Sequence, residues 1–344
     1  MMIRKIGITL LGLTTATGLY LNYESKPKKQ VYLLGDGFLA RGFIQSIDLS
    51  QYRITQIYRD PFINPQDLIY KLSHPNSMTS PHIRGFLKRQ CINKLKGEIT
   101  DINIPSKNTK NSIVSVKLDD DLIHQYPIRP EDYLVIGLGA KKSLKEWSDQ
   151  IANLSSITDK NIGIVGMGPT GIELGSILSK NNTITIFDVL NIKNTLSYLT
   201  PIYKVDLISR MEKDGVKFVY ETFYNPLQNH FDNVVFCIGN QPNPLTQSLK
   251  LNHYLNILGA ANIFAGGDCI RQSQYPPTAQ LAYEQGKYIA ELLNNGISNT
   301  KPFKYIDGGI ALETRYGTII NGHSYLHDGY YPSWTTWIYS AFFV

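Results

Sequence analysis

Gly166, Gly168 and Gly171 stand at G-x-G-x-x-G spacing, and Asp188 follows at the end of the next apolar run. Such a pattern can hold a dinucleotide: the first glycine makes a tight turn, the second lets the backbone approach a diphosphate, and the third lets a helix pack on a strand. The helix that begins there offers free N–H groups and the positive end of its dipole. A carboxylate at Asp188 can accept hydrogen bonds from ribose hydroxyls and repels a 2′-phosphate, which favours NADH over NADPH. Taken alone, the spacing is also met by a purely structural glycine turn. Here Asn161 to Val165 reads as a buried strand, Ile172 to Lys180 as the helix and Thr183 to Phe187 as the second strand, so each element the pattern requires has a place.

A second copy lies upstream. Val31 to Leu34 is a short apolar strand, Gly35, Gly37 and Ala40 give the G-x-G-x-x-A variant, and Arg41 to Ile47 can form the helix. Arg53 to Tyr58 reads as the next strand; it ends at Arg59 and Asp60, which complete the candidate binding set of this unit. Two such units imply two dinucleotides. Asp36, between the glycines, adds like charge beside a diphosphate unless its side chain turns to solvent.

Other candidates lie where apolar strands end. Tyr133 to Ile136 runs into Gly137-Leu138-Gly139-Ala140, where Gly139 marks either a close backbone approach or a plain tight turn. Asn233 to Cys237 runs into Gly239, at a sharp turn before Pro242-Asn243. Asn262 to Ala265 leads to Gly266, Gly267 and Asp268, a carboxylate at the strand edge where open α/β sheets bind ligands; capping of the next helix is its alternative role. Thr278 to Leu293 reads as a helix with Ala279, Ala282 and Gly286 on a small-residue face. Gln280 and Glu284 lie four apart and share a face, where they can line an acceptor site or simply be solvated.

The elements that position these residues fit the composition. With 344 residues, 42% of them hydrophobic, the chain can fill the cores of about two domains. Its three cysteines, Cys91, Cys237 and Cys269, are far apart and form no C-x-x-C pair, which excludes a disulfide framework and a redox dithiol. The net charge of +6 is scattered, so nucleic acid is not an expected partner. Ile6 to Tyr23 carries no charge and predicts an N-terminal transmembrane anchor, close to the ~20 apolar residues a span needs, with a cleaved or organelle-targeting leader as the alternative. Pro61 to Pro81 reads as loop and short helix, and Ile83 to Leu95 as a basic helix. A helix over Trp334 to Val344 gathers Trp334, Trp337, Ile338, Ala341 and Phe342 on one face, suited to a membrane surface or to packing against the body or a second subunit.

Together GMGPTGIELG at 166 to 175, GNQPNPL at 239 to 245, NIFAGGDC at 262 to 269 and PPTAQLAYEQGKYIAELL at 276 to 293 resemble the flavoproteins of the pyridine nucleotide-disulfide oxidoreductase class. Within that class the chain is most similar to the type II, or alternative, NADH dehydrogenases, from about Lys28 to the C-terminus, where FKYIDGGIAL and YYPSWTTWIYSAFF resemble the family's last strand and membrane-facing tail. The resemblance implies an α/β fold with two Rossmann-like dinucleotide-binding domains, an FAD domain with an inserted NADH domain, and a short C-terminal membrane-facing region. It divides the chain into an anchor or leader with its linker (1–29), the first segment of the FAD domain (30–145), the NADH domain (146–243), the second segment of the FAD domain (244–297) and the C-terminal region (298–344). FAD is then held by the first unit and Asp268, Glu173 lies beside the nicotinamide unless it is a plain surface glutamate, and Gln280 and Glu284 face a quinone. A membrane-associated enzyme of the mitochondrial inner membrane follows, and a homodimer is compatible with it.

Several positions depart from the family's pattern. The segment from Asn243 to Asn262 is short, Leu138 replaces a small polar residue, and Glu284 stands where the A-Q-x-A-x-Q-x-G pattern has its second glutamine. An ionised carboxylate cannot donate the hydrogen bond that glutamine offers a quinone carbonyl, and in a closed pocket it would take up a proton. Two other readings remain: an NAD(P)H-dependent flavin reductase with a different acceptor, and a non-catalytic flavoprotein resembling apoptosis-inducing factor.

Overall fold

The structure, a computed structural model, describes residues 28–59, 91–105, 111–140, 153–154, 156–197, 199–228, 230–239, 241–270, 275, 277–306, 311–320 and 323–325. Two parallel sheets carry the candidate residues. The first has six strands in the order β12-β13-β7-β1-β2-β3, formed by Lys29–Leu34 (β1), Tyr52–Tyr58 (β2), Asn93–Lys96 (β3), Tyr133–Ile136 (β7), Asn256–Ile257 (β12) and Ala260–Ala265 (β13). All its pairings are parallel except β12 with β13. The second sheet is wholly parallel in the order β10-β9-β8-β11, formed by Asn161–Val165 (β8), Thr183–Phe187 (β9), Lys217–Val219 (β10) and Asn233–Phe236 (β11). Since β13 joins the sheet of β1, the chain leaves the first sheet, builds the second, and returns.

Burial explains the apolar runs. In the four-stranded sheet Ile162, Ile164, Ile184 and Ile186 pair across β8 and β9 on one face, and all four are fully buried. One face of the six-stranded sheet packs on two helices, α1 (Phe38–Ser46) and a long helix at Ala279–Asn295. Its other face packs on the antiparallel sheet of Glu98–Asn103 (β4), Ser112–Lys117 (β5) and Ile123–Ile128 (β6), through Val114, Val116 and Ile128. The four-stranded sheet packs on α2 (Pro169–Leu178) and α3 (Pro201–Lys213), which makes Ala279–Asn295 α4 in chain order. A cavity of ≈ 530 Å³ opens over the four-stranded sheet, lined by Thr183, Thr185, Phe187, Lys217 and Phe231, and none of the loop glycines lines it.

A third antiparallel sheet, β14 (Ala311–Thr314), β15 (Gly317–Ile320) and β16 (His323–Tyr325), sends Leu312 and Ile319 into the core of the second unit. Its turn is fastened by Arg315, whose guanidinium pairs with Asp214 at 3.2 Å and donates to Ser179 Oγ at 3.2 Å. Ser179 and Asp214 cap the C-terminal ends of α2 and α3, where a cation is favoured by both dipoles. Tyr316 also hydrogen-bonds Asp214, and burial together with that carboxylate raises its phenol pKa.

Several expectations are corrected. Among the described residues no helix is long and apolar enough to cross a membrane, which overturns the expected transmembrane helix; Ile6 to Tyr23 itself lies outside the described residues. Asn93 to Leu95 belongs to β3 and pairs with β2 instead of ending a basic helix, because it completes an open sheet edge. Pro61 to Pro81 and Trp334 to Val344 lie outside the described residues. Both glycine-loop helices start before the sequence reading placed them, at Phe38 and Pro169.

Helix α4 lies unusually close to α1. A Cβ at Gly286 would come within 2.0 Å of the Leu39 carbonyl oxygen, and one at Gly42 within 2.1 Å of the Tyr283 carbonyl oxygen. Tyr52 Oη adds a bond to the Leu293 carbonyl (2.6 Å), and Asn294 both donates to Ser46 O (2.9 Å) and accepts from Asp48 N (3.0 Å). Gly286→Ala must push the two backbones apart and should cost about 2 kcal/mol or more, lowering the melting temperature by about 4 °C or more. Differential scanning calorimetry of the variant against the parent checks it; an unchanged transition would show that the helices separate freely.

Candidate functional site

The first glycine loop runs from β1 into α1. Gly35 has φ +103°, and a Cβ there would lie 2.2 Å from the Gly137 carbonyl oxygen at the end of β7. Only glycine fits that turn. Gly37 caps α1 with no side-chain hydrogen bond, and a Cβ on it would meet nothing within 4 Å. The first turn of α1 thus ends in open space, as an anion-binding helix N-terminus requires. Ala40 is fully buried one turn in.

The second loop repeats this geometry. Gly166 has φ +106°, and its Cβ would lie 2.4 Å from the Cys237 carbonyl oxygen just past β11. Gly168 caps α2 without a side-chain bond and faces open space, with Pro169 at the first position where no N–H is needed. A Cβ at Gly171 would meet the Gly166 carbonyl oxygen at 2.0 Å, so the third glycine permits helix and turn to touch. Asp188 sits half-buried at the end of β9; its Oδ2 accepts from Met167 N at 2.7 Å and its Oδ1 from Leu190 N at 2.8 Å. Each oxygen keeps a lone pair, so the carboxylate is fixed at the loop's rim and can still accept. Both loops lie where the strand order reverses, β1 between β2 and β7 and β8 between β9 and β11, the crevice in which open α/β sheets bind ligands.

Asp36 does not turn to solvent. It is half-buried, and its Oδ1 accepts from Gln56 Nε2 at 3.0 Å. The same nitrogen donates to the Gly35 carbonyl at 2.9 Å, while Gln56 itself is fully buried and its Oε1 has no hydrogen-bond partner. Sequence reasoning missed Gln56. A glutamine in the middle of an apolar strand was the available signal.

The remaining wall comes from the returning chain. After β13, Gly266 donates to the Ile136 carbonyl at 3.1 Å and Gly267–Cys269 forms a single 3-10 turn that carries half-buried Asp268. Cys269 is fully buried with its thiol pushed up to about 11 by burial, so it is inert at neutral pH. Thr278 caps α4, its Oγ accepting from Leu281 N at 3.1 Å. Ala279 is exposed, while Gln280 and Glu284 are half-buried; beside the start of the helix, Tyr275 rests edge-on against Phe303 and Tyr305, with ring centroids 5.8 and 5.7 Å away. The next residue, Gln285, is fully buried and accepts from Gly267 N at 2.6 Å. It too was missed, although a glutamine in the apolar stripe Leu281, Ala282, Gln285, Gly286, Ile289 is out of pattern.

The candidates therefore fall into two groups. Gly35, Gly37, Ala40, Gly139, Gly267, Asp268, Ala279, Gln280 and Glu284 belong to the first unit, and Gly166, Gly168, Gly171, Glu173, Asp188 and Gly239 to the second. Gly139 and Gly239 both have positive φ, +72° and +84°, beside open space. Glu173 is buried on α2, which replaces the surface alternative. Arg59 is exposed at the end of β2, 3.7 Å from Glu98, and Asp60 lies outside the described residues. Both cradles suit a dinucleotide: open space lies in front of uncapped helix starts and glycines that bear no side chain.

No protein-family model matches the chain. It is 26% identical to external NADH-ubiquinone oxidoreductase 2, mitochondrial, of Saccharomyces cerevisiae, over 84% of this chain and 70% of that protein. It is also 26% identical to the external alternative NADH-ubiquinone oxidoreductase, mitochondrial, of Yarrowia lipolytica, over 80% of this chain but 60% of the relative. Among solved structures, NDH2 from Plasmodium falciparum in complex with NADH matches with TM-score 0.69 and 17% identity over 92% of this chain and 95% of that one. A water-forming NADH oxidase from Lactobacillus brevis bound to NADH matches with TM-score 0.64 and 16% identity, covering 83% and 73%. By sequence likeness and fold together, the chain is a member of the superfamily of pyridine nucleotide-disulfide and flavin-dependent NAD(P)H oxidoreductases.

Proposed function

We propose that the chain is an FAD-dependent oxidoreductase that oxidises NADH and passes the electrons to a quinone. The observation that carries this reading is the pair of matching glycine cradles, one of which is closed by the Asp268 turn and α4. In the first, the N–H groups at the start of α1 hold the diphosphate, Asp268 holds the flavin nucleotide from the opposite wall, and Gly139 lets the backbone approach closely. In the second, the start of α2 holds the diphosphate of NADH and the rim carboxylate of Asp188 accepts from its ribose. A bound flavin supplies the two-electron relay between NADH and the second acceptor. The protein's role is to bring the reacting atoms to about 3–3.5 Å and keep water out.

The acceptor is read from α4. Gln280 can donate to a quinone carbonyl beside the apolar rings of Tyr275, Phe303 and Tyr305, while Glu284 shares its helix face. The names of the yeast relatives, NADH-ubiquinone oxidoreductases of mitochondria, support this choice and a peripheral contact with a mitochondrial membrane. In this reading residues 30–145 and 244–297 form the FAD domain and 146–243 the NADH domain. An NAD(P)H-dependent flavin reductase with another acceptor shares every step except the last.

An anaerobic titration separates the readings. The purified protein should bind FAD, NADH should bleach the visible flavin absorbance, and added ubiquinone should restore it. A protein that binds FAD and is bleached by NADH but ignores quinone has another acceptor, and one that takes up no FAD is not a flavoenzyme. Two variants refine the result. Asp188→Ala should lower the NADH-over-NADPH ratio of kcat/KM about tenfold, because it removes both an acceptor for the ribose and the charge facing a 2′-phosphate. Glu284→Gln should raise quinone turnover at unchanged rates of flavin reduction; stopped-flow mixing measures the two half-reactions separately.

A further inference from the structure

Helix α4 and the turn that carries Asp268 are joined by one buried side chain. Gln285 is fully buried, and its Oε1 takes the Gly267 N–H at 2.6 Å. The amide sits where three pieces of backbone meet: a Cβ on Gly266 would lie 2.7 Å from that Oε1 and 2.9 Å from Leu39 Cδ1 of α1, and a Cβ on Gly267 would lie 3.2 Å from Ala282 Cβ of α4. Gly267 has φ +68°, a conformation that the following residues inherit as a sharp turn. Asp268 comes next. On its far side the turn is pinned again, since Cys269 Sγ reaches the Gly266 carbonyl at 3.1 Å and Thr246 Oγ donates to the Cys269 carbonyl at 2.5 Å.

We propose that Gln285 is a positioning residue: by holding Gly267 N–H against α4 it sets the backbone from which Asp268 faces the flavin nucleotide, so the acceptor helix and the flavin cradle move as one piece. This rests on the FAD reading above. Packing alone does not account for the choice of residue, because a fully buried site flanked by Leu281, Ala282 and Ile289 would accept leucine or methionine more readily than an amide. The low polarity around the amide also strengthens its bond to Gly267.

Packing and positioning predict opposite rankings of two variants. Gln285→Leu keeps volume and apolar contact but loses the acceptor, whereas Gln285→Glu keeps an acceptor oxygen in place and burdens the core with an ionisable group. Thermal melts of the full-length apoprotein should rank Leu above Glu. Binding of FAD, followed by fluorescence quenching and by visible circular dichroism of the bound flavin, should rank Glu above Leu, with the leucine variant weakened about tenfold or more and its flavin spectrum altered. Lys287→Ala, exposed on the same helix, should match the parent in both. If the leucine variant binds FAD with the parent's affinity and dichroism, Gln285 is ordinary packing. If the leucine variant does not fold, the glutamate variant decides alone: loss of the parental flavin dichroism overturns the proposal, and its retention supports it. A parent protein that binds no FAD overturns the flavin reading itself, a result distinct from either of these.

Discussion

The structure depends on one contact made twice, the first glycine of a loop pressed against a carbonyl across the point where strand order reverses. Gly35 meets Gly137 and Gly166 meets Cys237, each at a distance that a side chain could not survive. Both glycines take a left-handed φ, which bends the chain out of its strand and aims the next helix back at the sheet. The uncapped helix start, the open space before Gly37 and Gly168, and the rim position of Asp188 all follow from that bend. A parallel sheet alone would supply none of them.

The two cradles are completed differently. In the second, Asp188 ties its own loop together by accepting from Met167 and Leu190, so the carboxylate proposed to meet the ribose also holds the turn. In the first, the loop is gripped from β2, where the Ile57 carbonyl accepts from Gly35 N and the Gln56 side chain donates to both the Gly35 carbonyl and Asp36. The negative charge placed between the glycines is thereby anchored to β2, at the expense of an orphaned amide oxygen. The close packing of α4 on α1 adds a second support to the first loop.

What could be read from the sequence divides along contact range. Strand, glycine turn and helix are consecutive in the chain, so β7, β8 and β9 fall where the short apolar runs placed them, and Gly35, Gly37, Gly166, Gly168 and Gly171 lie in the turns their spacing required. Gln56, Gln285 and Arg315 were not legible because their roles are set by partners distant in sequence: a loop carbonyl, a turn amide and two helix ends. The antiparallel cover of β4 and β6 escaped for a related reason. β4 exposes Glu98 and Asp101, β6 exposes Gln125 and Pro127, and only pairing with β5 makes them strands. The transmembrane helix expected near the N-terminus rested on hydropathy alone, with no partner residues to test it.

The close seam between α1 and α4 has a consequence for the order in which the protein is made. The turn of the second loop is held by backbone between Val165 and Cys237, one continuous stretch, although the core behind α2 is completed only by Leu312 and Ile319. The first loop opens the described chain, yet its wall includes Gly267, Gln285 and Gly286, far downstream. Contacts of such long sequence separation form late and slowly, after the entropy of closing a large loop has been overcome. The first loop to be synthesised is accordingly closed after the second, and until then α1 exposes to water or a chaperone the apolar stripe that α4 will cover.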